Sequence, residues 1–185
     1  MKRRTFLKSA AAISAVTVVS PSVAFGSRAN SAVRVGIIGC GGRGTAVISS
    51  MSKHTNTNIV AMADLFEDQL EKRKSTYDQL NADNGLPKVP VGNVYQGSNA
   101  YKKLLNNQEV DAVLISTPAY VHADYMEAAV KAGKHVYCEK PVSPDVAGCK
   151  QVERVGERLN GKVSIAVGFQ IRQATPYVEM VKRIQ

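Results

Sequence analysis

Val33-Arg34-Val35-Gly36-Ile37-Ile38, followed at once by Gly39-Cys40-Gly41-Gly42-Arg43-Gly44, is a β-branched apolar run that breaks into glycines. Such a run marks a strand buried on both faces. Thr45-Ala46-Val47-Ile48 and Met51 then carry the chain on as a helix. Gly39, Gly41 and Gly44 therefore satisfy G-x-G-x-x-G in the setting that gives the pattern meaning, after one strand and at the opening of one helix. The first glycine permits the tight turn and the second lets backbone approach a pyrophosphate. The third lets helix and strand pack closely. Backbone N–H groups and the helix N-terminus meet the phosphate charge, so Cys40, Gly42 and Arg43 join the cofactor-binding set as members of the same loop. Asp64, 25 residues after Gly39 (64 − 39), ends the next strand. A carboxylate there accepts from the adenosine ribose hydroxyls and repels a 2′-phosphate, which predicts NAD in preference to NADP. Asp64 could equally cap the helix that follows, and Arg43 could offset part of that repulsion.

Outward from this unit the chain alternates. Asn58 to Ala63 reads as the second strand, with a charged helix from about Glu67 to Leu80. Asn81 to Gly92 holds two prolines and two glycines and reads as a long loop. Val94-Tyr95, Asp111 to Ser116, His135 to Cys138 and Val163 to Phe169 are the remaining strands. The helices between them cover Ala100 to Leu105, His122 to Ala132, and a stretch opened by Ser143-Pro144-Asp145 that runs to about Leu159. Tyr177, Met180, Val181 and Ile184 mark an amphipathic last helix with no stop signal. Strand alternating with helix six times predicts a doubly wound parallel sheet.

The first residues read differently. Lys2-Arg3-Arg4-Thr5-Phe6-Leu7-Lys8 is a basic start, followed by a small-residue apolar run from Ser9 to Val19 and by Ser22-Val23-Ala24. Adjacent Arg3 and Arg4 resemble a twin-arginine signal, the class that exports folded proteins to the periplasm. Cleavage is expected after Ala24, with Gly26 as the alternative. The formal charge of +9 then falls by the four cations Lys2, Arg3, Arg4 and Lys8 to +5. No long basic run or aromatic–basic interleaving remains, so a nucleic-acid surface is not expected. No apolar stretch reaches the roughly 18 residues of a membrane span. Cys40, Cys138 and Cys149 have no C-x-x-C spacing and read as small buried residues without a disulfide.

Gly39-Cys40-Gly41-Gly42-Arg43-Gly44, Thr117-Pro118 with His122, and Gly133-Lys134-His135-Val136 leading into Glu139-Lys140-Pro141 together resemble the glucose–fructose oxidoreductase / inositol dehydrogenase (Gfo/Idh/MocA) family. The resemblance covers the chain from Val33 onward and implies a Rossmann-type nucleotide-binding domain. It implies that Lys140, at the carboxyl edge of the fifth strand, is the catalytic lysine. There it hydrogen-bonds a sugar hydroxyl and favours the developing alkoxide as hydride leaves. It also implies that Lys140 lies against the cofactor, that Glu139 meets the nicotinamide ribose, and that Pro141 shapes the turn, with a cis bond allowed. Thr117 and Pro118 would line the nicotinamide side, with His122 near the cofactor at a helix start. An ordinary capping or surface histidine is the competing reading of His122. Gln170 and Arg172 would face substrate or cap the sheet edge.

The resemblance implies a second, open-sheet α+β domain that carries a histidine to take the substrate proton, and these 185 residues are expected not to include it. The three histidines of this chain, His54, His122 and His135, all lie in the nucleotide domain. The expected division is a signal at 1–24, a linker at 25–32, a nucleotide-binding domain at 33–175 and the start of a helix at 176–185. A fragment of a longer protein is expected, and a homo-oligomer formed through the further domain stays open. The expected function is part of an exported NAD-dependent oxidoreductase acting on a sugar or polyol, with no metal. The alternatives are an NAD-dependent glycosidase that oxidises its sugar transiently, and a nucleotide-binding module without catalysis.

Overall fold

A computed structural model describes residues 31–159 and 161–185, apart from the side chains of Gln170 and Gln173. The signal expected at 1–24 lies outside the described residues. The unit Ala32–Gln185 holds six strands: β1 (Val33–Ile38), β2 (Thr57–Asp64), β3 (Val94–Gln96), β4 (Ala112–Ile115), β5 (His135–Cys138) and β6 (Ile165–Val167). They are parallel and ordered β3-β2-β1-β4-β5-β6. The order reverses beside β1, and in such sheets ligands bind at the carboxyl ends of the strands where that reversal occurs. The helices are α1 (Gly42–His54), α2 (Glu67–Asp83), α3 (Ala100–Leu105), α4 (His122–Lys131), α5 (Val146–Glu157), α6 (Gln170–Gln173) and α7 (Thr175–Ile184). Among the described residues no helix is long and apolar enough to cross a membrane.

The alternation of side chains along each strand builds two cores. Val35, Ile37, Ile59, Met62 and Leu114 face Val47 and Ile48 of α1 and Leu70 and Tyr77 of α2. Ile38, Ala61, Ala63, Val113 and Ile115 face Leu104 and Leu105 of α3 and Met126 and Ala129 of α4. Ile37, Ile48, Ile59, Leu104 and Leu114 are fully buried. Each such side chain contributes about 1.5–3 kcal/mol on leaving water. Arg34 on β1 and Asp111 ahead of β4 are joined by two side-chain bonds of 2.6 and 2.9 Å, and Asp111 also accepts the Arg34 backbone N–H. The Arg34 hydrogen bonds hold the Asp111 carboxyl below its ordinary range. Both side chains are more than a third exposed, so screening limits the pair to about 1 kcal/mol or less.

Three of the boundary differences from the sequence reading have a physical reason. Helix α2 runs on to Asp83, so the loop begins at Asn84 rather than Asn81. Asn81 is fully buried in that last turn, where its amide donates to the Ile59 and Pro87 carbonyls and its oxygen accepts the Ile59 N–H. An asparagine that looks like a loop residue locally is here a cross-link between helix and strand. Helix α5 is capped by Asp145, whose Oδ1 accepts the Gly148 N–H at 2.7 Å, and not by Ser143. Ser143 instead lies two residues ahead, with its hydroxyl turned to Asp145. The sixth strand is only three residues long, since Gly168 N–H is the last to meet β5, at the Cys138 carbonyl.

The cysteines also divide. Cys40 and Cys138 are buried, and burial pushes both thiols up to about 12, which keeps them un-ionised and inert. Cys149 is exposed, contrary to the expectation for all three.

Candidate functional site

The turn from β1 into α1 is built by glycine geometry. Gly39 has φ +94°, and its N–H donates to the Ala63 carbonyl of β2 at 2.9 Å. A Cβ on Gly39 would lie 2.6 Å from the Ser116 carbonyl oxygen, and one on Gly44 would run into the Gly39 carbonyl. Gly41 and Gly42 have open space where a side chain would stand. Gly41 is the N-cap of the 13-residue α1, and no side chain satisfies its first N–H groups. A close-packed turn, an open backbone beside it and uncapped helix amides make a cradle of the kind that suits an anion, whose charge a helix N-terminus favours.

Asp64, at the end of β2, uses Oδ2 to accept the Cys40 N–H at 2.6 Å and Oδ1 to accept the Phe66 N–H at 3.0 Å. It therefore ties the glycine loop to the start of α2, and the carboxylate retains lone pairs for a further donor. A groove of about 330 Å³ opens beside it, lined by Gly39, Gly41, Asp64, Leu65, Phe66, Tyr101, Thr117, Pro118 and Tyr120 among others. Tyr101 and Tyr125 stack with centroids 4.0 Å apart under its far wall. The Thr117 hydroxyl is buried and has no hydrogen-bond partner among the described residues. An orphaned hydroxyl at that end of a groove begun by such a cradle fits a ligand that brings polar groups to both ends.

At the other flank Arg43 reaches Glu139, with Nη2 2.8 Å from Oε1. The Glu139 side chain is 5 % exposed and that of Arg43 46 %. The hydrogen bond to Glu139 raises Arg43 further above its ordinary value. Burial, then the Glu139 charge, raises the Tyr137 phenol. Gly168 closes this corner, since a Cβ there would stand 2.8 Å from both Glu139 Oε1 and the Tyr137 hydroxyl. The Lys140–Pro141 peptide is cis, and Lys140 is exposed. His122 is almost fully buried, its Nδ1 2.8 Å from the Pro141 carbonyl oxygen and its Nε2 2.7 Å from that of Thr117. Neither ring nitrogen is open to a cofactor as they stand. Arg172 is exposed on α6; the Gln170 side chain lies outside what is described.

The structure thus gathers Gly39, Gly41, Asp64, Thr117 and Pro118 around one groove, whereas Cys40, Gly42, Arg43, Gly44, His122, Glu139 and Lys140 are not among the residues that line it. Sequence reasoning passed over Leu65 and Phe66 and the tyrosines at 101, 120 and 125. Two consecutive apolar residues directly after Asp64 were the available signal for the first pair. The tyrosines carried none, because Tyr101 and Tyr125 stack only once α3 and α4 pack and Tyr120 sits in the turn ahead of α4.

This fold and cradle define a dinucleotide-binding domain. The profile of the Gfo/Idh/MocA oxidoreductase family, NAD-binding Rossmann fold, matches residues 33–167, and the chain belongs to that family. It is 31% identical over 128 residues to a glycosyl hydrolase family 109 protein of Solibacter usitatus (strain Ellin6076), covering 69% of this chain and 28% of that protein. It is 29% identical over 154 residues to an inositol 2-dehydrogenase/D-chiro-inositol 3-dehydrogenase of Shouchella clausii (strain KSM-K16), covering 83% of this chain and 40% of that protein. The fold is shared with scyllo-inositol dehydrogenase from Lactobacillus casei, solved with bound NAD(H) and scyllo-inositol. The TM-score there is 0.65 at 19% identity, over 83% of this chain and 41% of that one. The chain therefore spans between 28% and 41% of the length of these proteins.

Proposed function

We propose that this chain is the nucleotide-binding part of an NAD-dependent oxidoreductase that removes hydride from a hydroxyl-bearing carbon of a sugar or polyol. The observation that carries the reading is the β1–α1 cradle, with its uncapped amides and Asp64 at the groove beside it. The similarity to an inositol dehydrogenase supports the polyol class. The bound nicotinamide would supply the hydride acceptor. Asp64 would receive the adenosine ribose hydroxyls and disfavour a 2′-phosphate, and the Thr117 hydroxyl would gain the partner it lacks. Lys140, exposed at the carboxyl edge of β5, would hydrogen-bond the substrate hydroxyl and steady the negative charge on its oxygen as the proton is released to solvent. The basic start and small-residue run at 1–24 extend the proposal to export by the twin-arginine route, a path that lets the protein fold around its cofactor first.

The test is mass spectrometry of the natively purified protein for retained nucleotide, followed by titration with NADH and NADPH. NADH binding in the groove is expected, and a protein that binds neither dinucleotide would sink the proposal. Asp64→Asn is expected to lower the preference for NADH over NADPH by about tenfold, because one of two repelling charges is removed. An unchanged ratio would assign Asp64 to the loop tie alone. Lys140→Ala is expected to slow polyol-dependent NADH formation by about a hundredfold or more while NADH affinity holds. A second reading rests on the similarity to a glycosyl hydrolase family 109 protein. In it the hydride removed from the sugar is returned after the glycoside is eliminated and water added, so the net reaction is hydrolysis. Glycoside cleavage with no net NADH formed would select it over the dehydrogenase.

A further inference from the structure

The geometry points to His122 as a positioning residue that sets the spacing of the two loops between which the nicotinamide end of the dinucleotide is read to lie. β4 and β5 are neighbours, and their last backbone link is the Glu139 N–H to the Ile115 carbonyl at 2.9 Å. Beyond it the chains part into the loops 116–121 and 139–145. The His122 ring stands between them, with Nε2 at the Thr117 carbonyl and Nδ1 at the Pro141 carbonyl. Among the described residues no other hydrogen bond joins these two loops, and neither carbonyl accepts a backbone N–H.

The chemistry of the ring suits a spacer. Its two nitrogens sit on opposite edges of a rigid plane, so both contacts together fix a distance that no single-headed side chain can fix. Both partners are acceptors, so the nitrogen carrying a proton donates, and only the doubly protonated ring donates to both at once. At 1 % exposure the ring has no solvent to substitute for a lost partner. What it holds matters for the site. One loop carries the orphaned Thr117 hydroxyl and Pro118 at the groove, and the other carries Glu139, Lys140 and the cis Pro141. A small change in their separation moves Thr117 and Glu139 relative to each other, while the bond from the Cys40 N–H to Asp64, which ties the glycine loop to β2, involves neither loop.

This inference rests on the dinucleotide reading, and its experiment separates the two. Affinities for NADH and for ADP-ribose, which lacks the nicotinamide, are measured for the wild-type chain and for His122→Ala, His122→Asn and His122→Gln. Asparagine can keep the Pro141 contact and glutamine the Thr117 contact, but neither keeps both. Expected is ADP-ribose affinity within about twofold of wild type in the Asn and Gln variants, with NADH affinity lower by about tenfold. Wild-type protein that binds neither ligand overturns the dinucleotide reading itself. If wild type binds both and the variants keep the wild-type ratio of the two affinities, the positioning role is wrong. Loss of ADP-ribose binding in all three variants overturns it as well, because the ring would then be serving the whole fold.

Discussion

Gly39→Ala is expected to abolish NADH binding and to destabilise the chain by about 3 kcal/mol. Two costs add at this residue. Its φ of +94° lies where a side chain is strained whatever the surrounding space. The new Cβ would also stand 2.6 Å from the oxygen, 2.7 Å from the carbon and 2.9 Å from the nitrogen of the Ser116–Thr117 peptide. Those are backbone atoms at the end of β4 and cannot swing aside as a side-chain tip would. Relief requires the glycine loop to lift away from β4, which misplaces the α1 amides and breaks the Asp64 contact to Cys40. Thermal unfolding reads the first effect and NADH titration the second. Gly42→Ala is the internal control, because its Cβ meets nothing within 4 Å and it lies in helical backbone. That variant should unfold within a few degrees of wild type. A Gly39→Ala chain as stable as Gly42→Ala would mean that the turn is not packed as described.

The second large effect belongs to Arg43. Arg43→Met is expected to cost about 2 kcal/mol, because it leaves the Glu139 carboxylate buried without its cation. A fully buried pair broken this way costs more, about 3–5 kcal/mol, but Arg43 is half exposed and water screens part of the loss. The double variant Arg43→Met/Glu139→Gln removes the stranded charge, and its stability should return to within about 1 kcal/mol of wild type. Chemical denaturation of the four proteins gives the coupling directly. Additive losses would mean that the two side chains do not sense each other, and the 2.8 Å contact would then carry no energy. Because the pair bridges the glycine loop and the Glu-Lys-Pro turn, the same variants should weaken NADH more than the stability loss alone accounts for.

How much of this could be read from the residues depended on distance along the chain. Gly39 to Gly44 disclosed both turn and cradle, because strand, turn and helix start are consecutive and each obeys local rules. The strand His135–Cys138 and the helix from His122 were legible for the same reason. Asn81 was misread because its place in a helix is held by Ile59, which lies 22 residues away. Local propensity favours a loop for asparagine there, and three side-chain hydrogen bonds, two of them buried, override it. The Asp145 cap was misplaced by two residues, since Ser143, Pro144 and Asp145 all suit a helix start and only the path of the chain selects among them.

The sites divide in the same way. The pattern of apolar runs and glycines carries the doubly wound class, the position of the glycine turn and the acid at the end of β2, because each follows from period, steric freedom and charge within a few residues. The Arg43–Glu139 pair spans 96 residues, the His122 link to Pro141 spans 19, and the Tyr101–Tyr125 stack joins two helices. No spacing in the chain announces them. They exist because parallel strands in the order β3-β2-β1-β4-β5-β6 bring every strand's carboxyl end to one edge, where side chains from distant loops are left to find one another.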